Sequence, residues 1–581
     1  MAEPSVAPRF PWWLVLPVAA LLLAASWQDP VGSLPGRAWI DGYGTQWHFW
    51  VFGEWLAQRT QLEPCTLLFH PWGKPMLTQT GLNLVDAALA WPVRWAAGPA
   101  LGSTLWVGLV LVGNALGGWS LARALGAERG AWLGALVVML CPFCLEELQL
   151  GRPTQAMLLF PALFLADLWR LESRGRALRA GLWLALTALS YWYYGLLCGA
   201  LLGVHGVVTL ALGPDRRSPL VRYAHLVGMA VLLVAPVAVP LALALWRGEV
   251  PGLLALSEGA AQGLQLRTVE GEAEGLYVLA PLAGRAGSLV EVDGLRFVPG
   301  ALVAGPLLWG LLVAGLVAAR GAGRAVLLGW LVLCLVVAVG PFLVLGDGFV
   351  SNPIYGGVAG ASEVLRRWWW PGRAVALLWV LAAGMGGQAL SRLPWRRLPV
   401  VLGSAFVLAL ALQSLAEGLA PIGAWKAEQS PGLACLAAAQ PGAVIDLPDN
   451  TGQRNLYLQT LHGKPILGGM PSTKSAFVPV ATQVLRESNT FLEILLAVGS
   501  RRFPRLASWE PQDRVALELL GYRYVLVQVD AYQRDSAVAG EGASDWPRVK
   551  RHLQLLLGEP AYEDEAVAVF VLEEGGGLSC E

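Results

Sequence analysis

The sequence predicts a polytopic α-helical membrane protein of about eleven transmembrane helices, followed by a soluble α/β domain. Three observations lead there. Hydrophobic residues make up 55% of the 581 positions and charged residues only 14%, far from the composition of soluble domains. Apolar runs of about 20 residues, the length that crosses a bilayer core, recur through the first three quarters of the chain. Beyond Ala420, charges and turn residues return at ordinary globular density.

The runs fall near 12–27, 101–122, 130–148, 153–169, 180–195, 196–213, 223–246, 299–319, 325–345, 372–391 and 398–417. The third and fourth contain Pro142 and Pro161. The uncharged stretch Ala180–Pro214 is too long for one ordinary span and divides best at Tyr191-Trp192-Tyr193-Tyr194-Gly195, which places the tyrosines at an interface. The first run is a retained helix rather than a signal peptide ending near Ala24-Ala25-Ser26, because only Arg9 is basic before it and many spans follow. Several of the 27 tryptophans, among them Trp12, Trp13, Trp27, Trp246 and Trp368 to Trp370, stand at run ends as an aromatic belt.

Orientation is read from the short loops, where basic residues mark the cytoplasmic side. Arg123 and Arg129; Arg170, Arg174, Arg176 and Arg179; Arg216, Arg217 and Arg222; Arg320 and Arg324; and Arg392, Arg396 and Arg397 occupy alternate loops. Those loops are cytoplasmic, as is the N-terminus. Loops 28–100, 247–298 and 346–371 face outside, together with the C-terminal domain. The parity depends on the division at Tyr191. The domains expected are a transmembrane region over 1–419 and an extracytoplasmic α/β domain over 420–581.

Net charge is zero and no long basic block occurs, so nothing points to a nucleic-acid partner. The seven cysteines have no spacing that reads as a disulfide framework. Cys141-Pro-Phe-Cys144 matches a redox pattern but lies inside an apolar run, where small buried thiols are the simpler reading.

In the first outer loop, Trp39–Leu56 interleaves aromatic residues with Asp41, Gln46, His48 and Glu54, and reads as an amphipathic helix lying along the membrane surface. A second such helix is expected over Leu82–Ala97. Between them the turn-rich segment Phe69-His70-Pro71-Trp72-Gly73-Lys74-Pro75 is of the kind that builds binding surfaces. In the tail, strands are expected at Gly442–Leu447, Tyr522–Val529 and Val567–Leu572, and helices at Val478–Val498 and Gln512–Leu520. His462 and Lys464 follow an apparent strand at Asn455–Thr460 and read as a strand-end turn with solvated charges. Asp446 has no metal-ligand pattern near it, and neither a Gly-rich phosphate loop nor an internal repeat is present.

Asp41 stands just outside the first span among aromatic and hydrogen-bonding side chains, where a carboxylate serves as a general base, as a metal ligand or simply as a solvated loop acid. Glu146 and Glu147, followed by Arg152, occupy the second outer turn, where a guanidinium and paired carboxylates suit an anionic substrate or ordinary helix-end solvation.

The arrangement resembles the GT-C superfamily of membrane glycosyltransferases. The matching features are Ile40-Asp41-Gly42 in a long first outer loop, two interfacial helices in that loop, an acid in the second outer loop, the break at Tyr193-Tyr194-Gly195 and a soluble tail. The resemblance implies transfer of a sugar from a polyprenyl-phosphate-linked donor to an envelope glycan, lipid or protein acceptor on the outer face of the cytoplasmic membrane, with inversion expected. By position it makes Asp41 the base and Glu146 or Glu147 a second acid that orients substrate or metal. His48, His70, Arg152, Arg366, Arg367 and Arg373 become substrate contacts, the arginines toward the lipid phosphate. Arg366 and Arg367 precede Trp368-Trp369-Trp370, the depth at which a lipid phosphate lies, and also suit plain interfacial anchoring. Where some members carry Asp-Glu, this chain has Asp41-Gly42. The requirement for a divalent metal is left open. The other readings are a non-catalytic assembly factor or flippase-like protein and a transporter; against the latter, few polar residues lie within spans (Asn114, Asp167, His205 and His225) and no halves repeat.

Overall fold

The computed structural model describes the chain except residues 1–8, 39, 77–82, 213–216, 248–271, 274–289, 293–294, 298–305, 340–341, 346–347, 355–356, 358–370, 395–396, 450–452, 470–477, 502–508, 539–544 and 574–581. It divides into two compact units, one formed by residues 1–37, 83–240 and 255–425, the other by 38–82, 241–254 and 426–581. The first is called the membrane unit here and the second the loop–tail unit.

In the membrane unit, seven helices among the described residues are long and apolar enough to cross a bilayer: Pro99–Ala124, Ala131–Gln149, Trp192–Leu212, Arg217–Leu243, Gly321–Ala338, Gly372–Ser391 and Leu398–Ala416. The chain is an integral membrane protein. Four further stretches expected as spans are helical but shorter: Trp12–Leu22, Leu159–Trp169, Arg174–Ser190 and Pro306–Ala318. The long uncharged run does divide at Tyr191, whose extended backbone separates Arg174–Ser190 from Trp192–Leu212.

Gly372–Ser391 and Ala131–Gln149 are each 89% buried over their apolar windows, against 11% for Arg217–Leu243, so the first two form the centre of the unit. Small residues bring the central helices close. A Cβ on Gly118 would land on the carbonyl oxygen of Gly134, and one on Gly134 would come within 2.7 Å of the carbonyl oxygen of Gly118. Asn114 repairs the break that precedes Leu159. Its Nδ2 donates to the carbonyl of Ala156 at 2.7 Å, and its Oδ1 accepts from the Leu158 amide at 2.7 Å, satisfying backbone that no helix does. Cys141 and Cys144 are both buried free thiols.

The basic loops gather at one end of this unit. Arg170 donates to the carbonyls of Arg123 and Ala124, Arg222 to that of Leu171 at 2.7 Å, and Ser391 accepts from the Gly130 amide at 2.8 Å. Arg174–Ser190 runs from that end to Tyr191 at the other, a rise of about 25 Å.

The loop–tail unit is built on a four-stranded sheet in the order Tyr562–Glu563, Val567–Val571, Tyr522–Gln528, Ala443–Leu447. The last pair is parallel, with Leu447 opposite Val527; the others are antiparallel, with Val567 opposite Gln528. Ala443–Leu447 is buried at every position, which is why it reads as a continuous apolar run rather than an alternating one. Ile445, Val525, Val527 and Phe570 form the core with Phe491, Leu495, Val549 and Leu553 from the helices Thr490–Gly499 and Trp546–Leu557.

Three expectations are corrected in this unit. Arg454–His462, expected as a strand over Asn455–Thr460, is a helix ended by Gly463 at φ +69°, a conformation glycine adopts without strain. The first-loop helix Ile40–Leu56 does not offer all its aromatic residues to a membrane surface. It packs on Arg454–His462, with Trp47 fully buried and its Nε1 donating to Gln459 Oε1 at 2.6 Å, and Tyr43 stacked on Tyr457 at 5.7 Å. Cys435 is disulfide-bonded, so a cysteine pair exists where spacing suggested none.

Candidate functional site

At the Tyr191 end of the membrane unit, the segment after Ala131–Leu140 is bent twice. Pro142 opens the short helix Pro142–Gln149, and Gly151 turns the chain into Pro153–Ala156. The bend folds Arg152 back onto Glu147: the backbone amide of Arg152 donates to the Glu147 carbonyl at 2.7 Å, and its guanidinium meets the Glu147 carboxylate at 3.5 Å. Glu147 is buried, and Glu146 beside it is half-buried. The turn of 3-10 helix Pro371–Ala374 carries Arg373, which is also buried.

Arg373 donates to the Tyr191 hydroxyl and, at 3.4 Å, to Gln155 Oε1; its guanidinium lies 5.3 Å from the Tyr191 ring centre and 6.0 Å from that of Tyr193. The Tyr194 hydroxyl donates to the Gln155 carbonyl at 2.7 Å, and the Tyr191 and Tyr193 rings stack at 5.1 Å. A planar cation clamped on aromatic faces is preorganised for bidentate contact with an oxyanion such as phosphate. Glu147, Arg152 and Arg373 are therefore drawn to one segment, 147–155.

Asp86 belongs to the same end, and sequence reasoning does not find it. It lies fully buried in the first turn of Leu84–Ala97 and accepts a hydrogen bond from the Thr154 hydroxyl, while Asn83 Nδ2 reaches the same hydroxyl at 3.4 Å. Burial pushes its carboxyl up to about 7, against the hydrogen bond from Thr154. An acid three residues into a helix gives no local sign of burial; Thr154 stands 68 positions away.

In the loop–tail unit, Asp41, Thr45 and His48 share one half-exposed face of Ile40–Leu56, at i, i+4 and i+7, while Tyr43, Gln46, Trp47 and Phe49 are buried. His48 Nδ1 donates to the Gly44 carbonyl at 2.9 Å, which leaves Nε2 as an acceptor. Burial lowers its pKa, opposed by that backbone bond and aided by the Lys74 charge. Lys74 is fully buried, lies 5.8 Å from the Phe69 ring centre and is brought down to about 7 by burial.

His70 fastens the turn-rich segment to the tail. Its Nε2 donates to the Leu520 carbonyl at 3.0 Å, its own carbonyl accepts from the Tyr522 hydroxyl, and its amide donates to the Ile466 carbonyl at 3.0 Å. Burial lowers the His70 pKa against the bond to Leu520. Arg366 and Arg367 lie outside the described residues. Among the described residues, no three His, Cys, Asp or Glu side chains are grouped closely enough to hold a metal ion.

No family model and no curated protein matches the sequence. Solved structures do match. The arabinofuranosyltransferase AftD from Mycobacteria aligns at TM-score 0.54 and 15% identity over 99% of this chain and 42% of that one. The Archaeoglobus fulgidus oligosaccharyltransferase in its apo form aligns at TM-score 0.50 and 13% identity over 94% of this chain and 73% of that one. ArnT from Cupriavidus metallidurans, bound to undecaprenyl phosphate, aligns at TM-score 0.41 and 13% identity over 97% of this chain and 99% of that one.

Proposed function

We propose, for a chain that has the GT-C fold of membrane glycosyltransferases, that it moves a sugar from a polyprenyl-phosphate-linked donor to a cell-envelope acceptor on the outer face of the cytoplasmic membrane. The observation that carries the reading is the fold itself, matched to two glycosyltransferase structures at TM-scores of 0.54 and 0.50 over 99% and 94% of the chain.

In this reading Asp41 takes the proton of the acceptor hydroxyl as its oxygen attacks the anomeric carbon. The bond from that carbon to the phosphate oxygen breaks, and polyprenyl phosphate leaves with the electron pair; a single displacement inverts the centre. His48, on the same helix face as Asp41, supplies a neutral imidazole acceptor for a substrate hydroxyl. Glu146 and Glu147 orient substrate, Glu147 through its bond to Arg152. Arg152, Arg366, Arg367 and Arg373 serve the carrier phosphate, with Arg373 the best prepared because its guanidinium is already fixed by Tyr191 and Gln155. His70 contributes by holding its loop on the tail.

The topology that goes with this function has eleven spans, a cytoplasmic N-terminus and an extracytoplasmic α/β tail. The arginine-rich loops at one end of the membrane unit support it. The disulfide at Cys435 supports an oxidising location for the tail.

The test is transfer by the purified chain in proteoliposomes, supplied with a panel of labelled polyprenyl-phosphate-linked sugars and envelope extracts. Release of polyprenyl phosphate coupled to appearance of labelled acceptor is expected. Donor binding without turnover of any sugar would favour a non-catalytic factor instead.

A further inference from the structure

The pair His462 and Lys464 is not a solvated turn. Both side chains are buried, at 3% and 6% exposure, and both line an open cavity of about 810 Å³ in the loop–tail unit, within the usual size of small-molecule sites. Lys464 Nζ donates to the carbonyls of Ala439 at 2.9 Å and Gln440 at 2.7 Å and lies 5.2 Å from the Tyr524 ring centre, which leaves one of its three donors without a hydrogen-bond acceptor among the described residues. Among the described residues no carboxylate pairs with it, and burial together with the neighbouring Arg523 charge lowers its pKa.

A buried cation without a counter-ion is costly unless something supplies the charge. Arg523 adds a second cation on the same wall, held by Gln440 Oε1 at 2.6 Å and by the exposed Glu573 at 3.5 Å. Arg59 adds a third, paired at 3.2 Å with Glu54, the one carboxylate among the lining residues. His462 Nδ1 accepts from the Lys464 amide at 3.1 Å, so its proton sits on Nε2, and that donor has no partner among the described residues. Trp50 lines the same cavity and offers a flat apolar face.

We propose that this cavity binds an anionic sugar, its carboxylate or phosphate set against Lys464 and Arg523 and its ring against Trp50. Surplus donors and a net positive wall select the charge, the aromatic face selects a ring, and Glu54 accepts from ring hydroxyls. The site binds without needing transfer, so a chain that moves no sugar is tested by it all the same.

The experiment is isothermal titration of the full-length chain in detergent with cellobiouronic acid, glucose 6-phosphate, neutral cellobiose and inorganic phosphate. At least one anionic sugar is expected to bind about tenfold or more tightly than cellobiose and than inorganic phosphate. The two anionic probes show whether a carboxylate or a phosphate is preferred. Arg523→Gln and Arg59→Gln, both at partly exposed positions, should each weaken binding about threefold to tenfold without shifting the melting temperature, and Lys464→Gln should weaken it further. Equal binding of cellobiose and the anionic sugars, or no binding of any, overturns the charge selection. Inorganic phosphate binding as well as the sugars overturns the ring contact. Unchanged binding in Arg523→Gln and Lys464→Gln overturns the location.

Discussion

Replacing Arg373 by lysine keeps the positive charge but removes the planar fork that reaches Tyr191 and Gln155 and lies on the rings of Tyr191 and Tyr193. A hydrogen bond to a charged group contributes about 1.5–3 kcal/mol, and a desolvated cation–π contact about 2 kcal/mol or more. Lysine recovers part of each, so the loss expected in holding the carrier phosphate is about 1.5–3 kcal/mol, or roughly 10- to 150-fold in KM for the lipid-linked donor. Tyr191→Phe removes only one partner of the guanidinium and should cost less, about 0.5–1.5 kcal/mol, under roughly tenfold. The assay is steady-state transfer in proteoliposomes with donor varied, beside a thermal melt of each variant to show that it is folded. A folded Arg373→Lys protein with an unchanged donor KM would refute the phosphate role of this residue and the reasoning from its preorganisation.

Three further outcomes are expected. Burial holds Lys74 at about 7 in the folded chain against the ordinary lysine value of 10.5, so the unfolded chain binds the extra proton between those values and stability rises with pH across that window. Lys74→Met should therefore remove this contribution and flatten the rise of melting temperature between pH 7 and 10.5; a variant whose melting temperature climbs across that window as steeply as that of the unaltered chain contradicts this. Gly118→Val places a branched side chain where the Gly134 carbonyl stands, and should abolish the folded, monodisperse protein in detergent chromatography, while Gly199→Val, which meets nothing within 4 Å, should not. Gln459→Ala leaves Trp47 Nε1 and the carbonyl of Lys464 without their partner, while the Leu67 carbonyl keeps the Ile466 amide, and should cost about 1–3 kcal/mol by denaturant melting; in a Trp47→Phe background the penalty should be smaller.

The membrane class is legible because run length is a local property: about 20 apolar residues read the same in any context. The division at Tyr191 is equally legible, from a run too long for one span. The site is only partly so. Glu147 and Arg152 can be paired from sequence because five positions separate them, whereas the contact of Arg373 with Tyr191 spans 182 positions and has no local signature. Asn455–Thr460 reads wrongly as a strand because Leu456 and Leu458 alternate, while tertiary packing buries Tyr457 and Gln459 as well. His462 followed by Gly463 is a helix-end signal that corrects it. The aromatic residues of Ile40–Leu56 look like a surface-seeking set; that Trp47 instead meets Gln459, 412 positions away, depends on a partner no periodicity names.

The proposed sugar transfer turns on Asp41 as the base. The most direct measurement is the single-turnover rate of Asp41→Asn in proteoliposomes with a donor that the unaltered chain turns over, with donor binding measured in parallel. Unchanged donor binding is expected, with a transfer rate lower by about 100-fold or more, the usual contribution of a positioned general base. Asp41→Asn protein that transfers at the rate of the unaltered chain would contradict it.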